Sequence, residues 1–241
     1  MSQGPNGAPA PVVILFGSPG SGKGTQAKLL QDCFQWPHIS TGDMLRRHVA
    51  ARDEIGLQVE QLMKAGKLVP DELVNDMVQL RLNEADCRSG AILDGYPRTV
   101  GQAGVLLQIV GQCHCRPAVV HLVVDHGRIV ARLSGRRQCP VCGTLYGIKT
   151  HPPKVSGICD LDGATLATRE DDKESVIRQR LTEYDKQTRP LLDFFRQAGL
   201  PMIETQGASK TPEEIMRSIR EALSLAGLIG EGSVPNANVR T

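Results

Sequence analysis

Large aromatic side chains are scarce in this chain of 241 residues, which has one Trp, three Tyr and four Phe. Proteins that bind single-stranded nucleic acid stack bases on aromatic rings, so the shortage argues against that function. The net charge of +2 at pH 7 gives no support for nucleic-acid binding either. No apolar run approaches the roughly 18 residues of a membrane span, and no charged and then apolar leader opens the chain. We therefore expect neither a nucleic-acid nor a membrane partner.

Disulfide pairs are not indicated either, although the chain has seven cysteines, an odd number. Cys33, Cys87, Cys113 and Cys115 are scattered over predicted core elements, which is typical of reduced thiols in a cytoplasmic protein. The trio Cys113-His114-Cys115 has a metal-like composition, but it precedes a core strand and has no partner pair. We predict no metal there.

A glycine-rich loop is the most informative feature that is present. The apolar run Val12–Phe16 is followed at 17–25 by GSPGSGKGT, and a helix is predicted to begin near Lys23. Such a turn directs backbone N–H groups and the positive end of a helix at one point, which suits a polyphosphate. The pattern G-x-x-x-x-G-K is met, although Gly24 replaces the usual Ser or Thr and the hydroxyl follows at Thr25. The loop predicts binding of a nucleoside phosphate.

Strand-like runs alternate with helical patterns along the chain, which predicts an α/β domain with a parallel sheet. The predicted strands are Val12–Phe16, Ala91–Asp94, Val119–Val124 and Met202–Glu204. Helix starts are predicted at Pro70, as the first helical residue, at Thr99 with Gln102 as a capping box, and at Thr211. Two stretches interrupt the alternation: 40–69, helical without a strand of its own, and 135–172, without helical period. Both are candidates for moving lids.

Taken together, the motifs resemble adenylate kinase in its long bacterial form with a zinc-bearing lid. The matching segments, in the order of the family, are GSPGSGKGTQA at 17–27, STGDMLR at 40–46, GKLVPDELV at 66–74, LDGYPRT at 93–99, GRR at 135–137, CPVCG at 139–143, REDD at 169–172 and RQRL at 178–181. The resemblance implies a monomer with the P-loop nucleoside monophosphate kinase fold that catalyses ATP + AMP = 2 ADP. It implies a parallel-sheet core flanked by helices and two inserted mobile subdomains. The expected division is a core at 11–39, 70–134 and 173–229, an AMP-binding insertion at 40–69, a lid at 135–172, and flexible tails at 1–10 and 230–241.

The resemblance also implies a donor site. The expected ATP-binding residues are Gly20, Ser21, Gly22, Lys23, Gly24, Thr25, Arg132, Arg136, Leu145, Tyr146 and Ser209. The expected catalytic residues are Lys23, Arg98, Arg136, Arg169 and Arg180. Arginine suits phosphoryl transfer because its fork binds two phosphate oxygens and stays charged when water is expelled.

A magnesium site accompanies the donor site. Asp94 ends a buried strand, where a carboxylate is costly without a cation, and a Mg²⁺ ion held through its waters is the expected partner. For Asp171 and Asp172 two interpretations stay open: they orient the waters of the metal or close the lid, or they form an ion pair at the lid hinge.

The acceptor site implied by the resemblance reads the adenine of AMP and holds its phosphate. Its expected residues are Thr41, Arg46, Lys67, Leu68, Val69, Gly95, Tyr96, Pro97, Arg98, Gln102, Arg169 and Arg180. The amide of Gln102 can match a purine edge as donor and as acceptor, while Arg46 and Arg98 would take the phosphate.

A zinc site is predicted in the lid. Cys139-x-x-Cys142 and Cys159-x-x-Asp162, with sixteen residues between the two pairs, have the spacing of two facing knuckles. Four protein ligands leave no open position, so the Zn²⁺ would be structural. Asp160 is a rival to Asp162, but its spacing does not fit a knuckle.

Other functions are compatible with parts of the sequence. A zinc-ribbon nucleic-acid module fused to an NTPase would use Arg136, Arg137, Lys149 and Lys154 in the lid, but Tyr146 is the only aromatic residue there. A P-loop switch or ATPase that uses water would leave the acceptor motifs without a purpose. Within the kinase class, a UMP or CMP acceptor or GTP as donor stays open, while the lid, Thr41 and Gln102 favour AMP.

Overall fold

A computed structural model describes residues 9–206 and 210–230 of the chain, without the side chain of residue 126. The predicted tails at 1–10 and 230–241 lie almost entirely outside these residues. Within them, no helix combines the length and the apolar composition needed to cross a membrane.

Five parallel strands form the central sheet. They are β1 (Pro11–Phe16), β2 (His38–Ser40), β3 (Ala91–Asp94), β4 (Arg116–Val123) and, near the end of the chain, β7 (Met202–Gln206). Their order across the sheet is β2-β3-β1-β4-β7, so β1 lies in the middle between β3 and β4. Every residue of β1 is buried, as expected for a strand covered on both faces. The predicted parallel α/β sheet is confirmed, and ligands of such sheets bind beyond the carboxyl ends of the central strands.

Helices cover both faces of the sheet. They are α1 (Lys23–Phe34), α2 (Thr41–Ala51), α3 (Glu54–Lys64), α4 (Asp71–Leu82), α5 (Val100–Gln112), α6 (His126–Ser134), α7 (Glu174–Glu183), α8 (Leu191–Gln197) and α9 (Pro212–Leu225). A π-helical turn at Tyr184–Thr188 separates α7 from α8.

The alternation of side chains along β1 divides the core into two layers. Ile14 packs in one layer with Leu106 of α5 and Phe195 of α8. Leu15, which points to the opposite face, packs with Leu30 of α1 and Ile219 of α9. Both ends of the phosphate-binding loop are therefore anchored in a packed core.

Helix starts follow the sequence in part. The capping box at Thr211 is complete, with Glu214 as the reciprocal partner. Pro70 occupies the cap of α4 rather than its first turn, which is a correction of one residue. Thr99 caps α5 by accepting from the N–H of Gln102, but the Gln102 side chain does not return to Thr99. The predicted capping box is therefore wrong in its second half, because Gln102 Oε1 accepts from the N–H of Arg98 instead, while its Nε2 donates to Asp71.

The two interrupting stretches form their own local structures. Residues 40–69 hold α2 and α3, and their first residue, Ser40, ends the short strand β2, which the sequence analysis missed. Residues 135–172 contain an antiparallel pair, β5 (Arg136–Gln138) and β6 (Leu145–Gly147), with a small cluster of Cys139, Tyr146 and Cys159. Whether these stretches move as separate units stays a prediction.

Candidate active site

The phosphate loop runs from the end of β1 to the start of α1. Gly17, Gly20 and Gly22 have φ values of 144°, 79° and 103°, and a Cβ at Gly17 would lie 2.5 Å from the carbonyl oxygen of Leu122. Gly22 caps α1 without a side-chain hydrogen bond, so the first N–H groups of the helix are left for an anion. Ser21 Oγ is buried and has no hydrogen-bond partner among the described residues. Such an orphaned hydroxyl fits a loop that binds phosphate oxygens.

Lys23 lies at the first position of α1. Its ammonium donates to the carbonyl oxygens of Gly17 and Ser18 at 2.7 and 2.9 Å. Burial and the charges of nearby arginines, opposed by the charge of Asp94, together lower the pKa of Lys23 to about 8. The surroundings of Lys23 therefore disfavour the charged form of its side chain.

Asp94 ends β3 beside the loop, and a Cβ at Gly24 would lie 3.5 Å from its Oδ2. The same oxygen lies 3.2 Å from His38 Nε2. Burial alone would raise the pKa of Asp94, but the hydrogen bond from His38 and the charge of Lys23 outweigh burial and hold the pKa below its usual value. A buried carboxylate that stays ionised fits the predicted water-mediated Mg²⁺ site. His38 was not among the predicted site residues, since it lies on β2, the strand that was not predicted.

Two ion pairs lie at the base of the lid, one within the lid and one between the lid and α7. Arg136 of β5 binds both carboxylate oxygens of Asp172, at 2.8 and 2.5 Å. Arg180 of α7 lies 2.9 Å from Asp171. Of the two interpretations left open for these acids, the structure shows the ion pairs at the lid hinge.

A second set of ion pairs joins the acceptor insertion to the lid. Arg46 and Asp43, on the first turns of α2, are 2.5 Å apart. Arg169 lies 3.6 Å from the same carboxylate and donates to Gln138 of the lid. Burial and the charges of Arg46 and Arg136 lower the pKa of Arg169 to about 10. Asp43 was not among the predicted site residues. It is part of a motif match, but nothing local to the sequence shows that two arginines share it.

Arg98 lies between the two halves of the site. Its Nε donates to the carbonyl oxygen of Gly95 at 2.8 Å. Burial and the charge of Arg180 lower its pKa to about 10. Arg98 and Arg180 are also among the charges that lower the pKa of Lys23. The donor loop and the acceptor insertion thus meet at one group of cations.

Cations outnumber carboxylates in this group. Its members interact electrostatically with one another: Lys23, Arg46, Arg98, Arg136, Arg169 and Arg180 on one side, and Asp43, Asp94, Asp171 and Asp172 on the other. The excess positive charge lies in a cleft, where it attracts polyanions more strongly than on an open surface.

A cavity that is open to solvent lies beside Arg98. Nine of the predicted acceptor residues line it: Thr41, Arg46, Lys67, Leu68, Val69, Gly95, Arg98, Gln102 and Arg180. Leu45, Met63 and Val74 also line it and were not predicted, since their apolar side chains resemble ordinary core positions. The cavity therefore offers cations at one end and an apolar surface for a base.

Two of the predicted ligand-binding residues have side chains that lie inside the protein, which leaves only their main chains for a nucleotide. Tyr96 is 1% exposed, and its hydroxyl donates to Asn75 Oδ1 at 2.6 Å. Neither Tyr96 nor Pro97 lines the cavity. Tyr96 supports the cavity from behind, so its side chain is not available to AMP.

Tyr146 is the second of these residues. It is 4% exposed in the lid, where its hydroxyl lies 3.5 Å from Cys159 Sγ and accepts from the N–H of Asp160. Its side chain is therefore not available to ATP. The neighbouring residue of β6, Leu145, lies near the phosphate loop, 3.6 Å from the Cβ position of Gly24.

The other predicted donor residues lie beside the phosphate loop or outside the described part of the chain. Arg132 of α6 approaches the Cβ position of Gly22 to 3.9 Å, and burial lowers its pKa. Thr25 is exposed on the first turn of α1. Ser209 lies outside the described residues.

The lid cysteines form two matching turns. Gly143 donates to the carbonyl oxygen of Cys139 at 3.1 Å, and Gly163 donates to that of Cys159 at 3.0 Å. Both glycines have positive φ values, 75° and 73°. The side chain of Cys142 in the first turn corresponds to that of Asp162 in the second. The two turns therefore face each other with four possible metal ligands.

The ligand atoms of these four residues lie within 4.8 Å of one another. Cys142 Sγ and Cys159 Sγ are 3.6 Å apart, and Cys139 Sγ lies 3.1 Å from Asp162 Oδ2. Two sulfurs on one tetrahedral zinc ion are about 3.8 Å apart, since each bond is about 2.3 Å long. The donor set and its spacing fit zinc. Asp160, the rival ligand, instead accepts from the N–H of Lys154.

Comparison with known proteins identifies the family. The family model for adenylate kinase matches residues 15–200. The chain is 46% identical to an adenylate kinase of Anaeromyxobacter sp. (strain K), over 88% of this chain and 99% of the relative. It is 42% identical to the adenylate kinase of Caldanaerobacter subterraneus subsp. tengcongensis, over 88% of this chain and 95% of the relative. The chain belongs to the adenylate kinase family. It is a phosphotransferase with the P-loop nucleoside monophosphate kinase fold, as the motifs predicted.

The lowered pKa of Lys23 predicts a proton linkage. Binding of the triphosphate brings negative charge next to the Lys23 ammonium and raises the pKa of this group. Formation of the complex above pH 8 is therefore accompanied by uptake of a proton. The affinity for ATP should then fall about tenfold per pH unit above 8. Calorimetry at pH 8.5 in buffers of different ionisation enthalpy measures the uptake. Lys23→Arg is the control, because its guanidinium stays charged and should show no uptake; equal uptake by the two proteins would contradict this role.

Proposed function

We propose that the protein transfers the γ-phosphoryl group of Mg-ATP to AMP and regenerates both from two ADP in the reverse direction. One observation carries the assignment of the site: Arg98 and Arg180 line the acceptor cavity and also act on Lys23 in the donor loop. Charges shared by the two halves favour two phosphate groups that meet end to end. That is the requirement of direct transfer between nucleotides.

The residues divide the work by position. The N–H groups of the loop, Ser21 and Lys23 hold the β- and γ-phosphates of the donor. Arg46 and Arg98 hold the phosphate of the acceptor. The lid and hinge arginines, Arg136, Arg169 and Arg180, neutralise the charge that spreads over the transferred group. Little covalent chemistry is asked of the protein, since positioning and charge stabilisation carry phosphoryl transfer.

Mg²⁺ would be held through its waters by Asp94, and it would supply further neutralisation of the triphosphate. The protein's own part is to keep Asp94 ionised. His38 and Lys23 both favour the charged carboxylate.

When no phosphate is bound, the carboxylates at the lid hinge form ion pairs with two of these arginines. Asp171 and Asp172 bind Arg180 and Arg136 at the base of the lid. A phosphate chain carries more charge than a carboxylate and competes for the same forks. Exchange of these partners would couple nucleotide binding to movement of the lid.

The lid would be stabilised by a structural Zn²⁺ bound to Cys139, Cys142, Cys159 and Asp162. The lid has few buried apolar residues of its own, so a metal would replace the core that this segment lacks. Tyr146 Oη, close to Cys159 Sγ, would orient one ligand. We also propose that the protein works as a monomer, and that it is cytoplasmic, in keeping with seven cysteines that form no disulfide.

A coupled assay tests the proposed function. AMP, CMP, UMP and GMP are offered as acceptors, first with ATP and then with GTP as donor. We expect ADP formation from ATP and AMP at a rate far above that of any other pair. Comparable rates with CMP or UMP, or with GTP as donor, would point to another nucleoside monophosphate kinase, and turnover without an acceptor would point to an ATPase.

The zinc proposal predicts the effect of Cys142→Ser. The variant should lose its metal, and its melting temperature should fall by roughly 5 °C or more because the lid loses its cross-link. Elemental analysis and thermal unfolding measure the two effects. Cys33→Ser on α1 is the matched control and should keep both values. Purification of the unmodified protein without zinc, or full zinc content in Cys142→Ser, would contradict the proposal.

A further inference from the structure

We propose that Asp71 is a specificity-determining residue, which locks the side-chain amide of Gln102 in one orientation and so selects adenine as the acceptor base. The inference rests on the proposed function, in which Gln102 reads the base. Asp71 was not among the predicted site residues. It is the first residue of α4 and lies behind Gln102.

Both ends of the Gln102 amide have a partner. Its Nε2 donates to Asp71 Oδ1 at 2.8 Å, and its Oε1 accepts from the main-chain N–H of Arg98 at 2.7 Å. The residue is 2% exposed and lines the acceptor cavity. The amide is therefore held in a buried position at the edge of the base-binding surface.

These partners determine which end of the amide is which. A carboxylate only accepts hydrogen bonds, and a main-chain N–H only donates them. Rotation of the Gln102 amide by 180° would place its oxygen against Asp71 and its NH₂ group against the N–H of Arg98. Both contacts would become repulsive. Each of the two contacts therefore separately favours the observed orientation of the amide.

Asp71 is itself held in place. Its second oxygen, Oδ2, accepts from Thr99 Oγ1 at 2.5 Å, and Thr99 in turn accepts from the N–H of Gln102 at 3.1 Å. The carboxylate thus bridges the start of α4 to the first turn of α5. Two hydrogen bonds, from Thr99 and from Gln102, therefore fix the position of the Asp71 carboxylate.

The locked amide keeps one N–H and one lone pair beyond these two bonds. No described residue takes them. Adenine offers a matching pair on its edge, an amino donor at position 6 and an acceptor at N1. Hypoxanthine has the same shape with the reverse pattern, an acceptor at position 6 and a donor at N1. The locked orientation accepts the first base and opposes the second.

The test compares AMP with inosine 5′-monophosphate as acceptors, with Mg-ATP as donor. In Asp71→Asn one of the two constraints is relieved, because an asparagine side chain can donate to the rotated amide. The AMP/IMP ratio of kcat/KM should fall about tenfold or more. The change should come mainly from KM, with the KM for ATP unaltered.

The control is Asp76→Asn, the same substitution at an exposed position on α4, which should leave the ratio unchanged. The ratio of two kcat/KM values does not depend on the fraction of folded enzyme, so partial destabilisation of the Asp71 variant does not obscure the result. An unchanged ratio in Asp71→Asn, or an equal fall in Asp76→Asn, would overturn the inference. If the unmodified protein does not use AMP, the proposed function itself fails.

Discussion

Repulsion among buried cations is the constraint on which the site depends. Arg98 and Arg169 have pKa values lowered to about 10, and Lys23 to about 8, because burial and like charges act on all three. Such a group persists in a folded protein only when carboxylates lie among its members. The pairing of Arg136 with Asp172 and of Arg180 with Asp171 supplies that compensation. Since phosphate is the stronger partner, the same charges that strain the protein favour nucleotide binding.

The chain assembles this group from separate segments. Lys23 comes from the loop after β1, Arg46 from α2 of the acceptor insertion, and Arg98 from the turn after β3. Arg136 and Arg180 come from the lid and from α7. No single segment contains the site. Each insertion contributes at least one cation, so the positions of the insertions and the charge of the cleft depend on each other.

The sequence predicted well what local chemistry determines. The glycines and lysine of the phosphate loop, the long buried strands and the spacing of the lid knuckles need no knowledge of the rest of the fold. The motif matches also predicted which lysine and arginine residues form the cationic group. Prediction failed where a side chain had to choose among several partners. Gln102 had the pattern of a capping box, but Arg98 and Asp71 take its amide. Strand β2, with only three residues, carries too short a pattern to be recognised.

The buried tyrosines show the same limit. Tyr96 and Tyr146 lie within or beside matched motifs, and the sequence cannot distinguish a tyrosine that contacts a ligand from one that supports the site from inside. Asp43 and His38 were missed for a related reason, since their importance comes from the charged groups that the fold brings to them. The residue types in the sequence predicted which chemical groups form the site, whereas the structure was needed to show which groups they contact.

The most direct test of the account is a crystal structure with a bisubstrate inhibitor, two adenosines joined by a chain of five phosphates. One adenosine should fill the cavity beside Gln102, and the phosphate chain should run past Arg98 and Arg180 to the loop at Lys23. At least one of the hinge arginines should have exchanged a carboxylate for a phosphate oxygen. A phosphate chain bound elsewhere, or one that leaves Arg98, Arg136 and Arg180 without a phosphate contact, would contradict it.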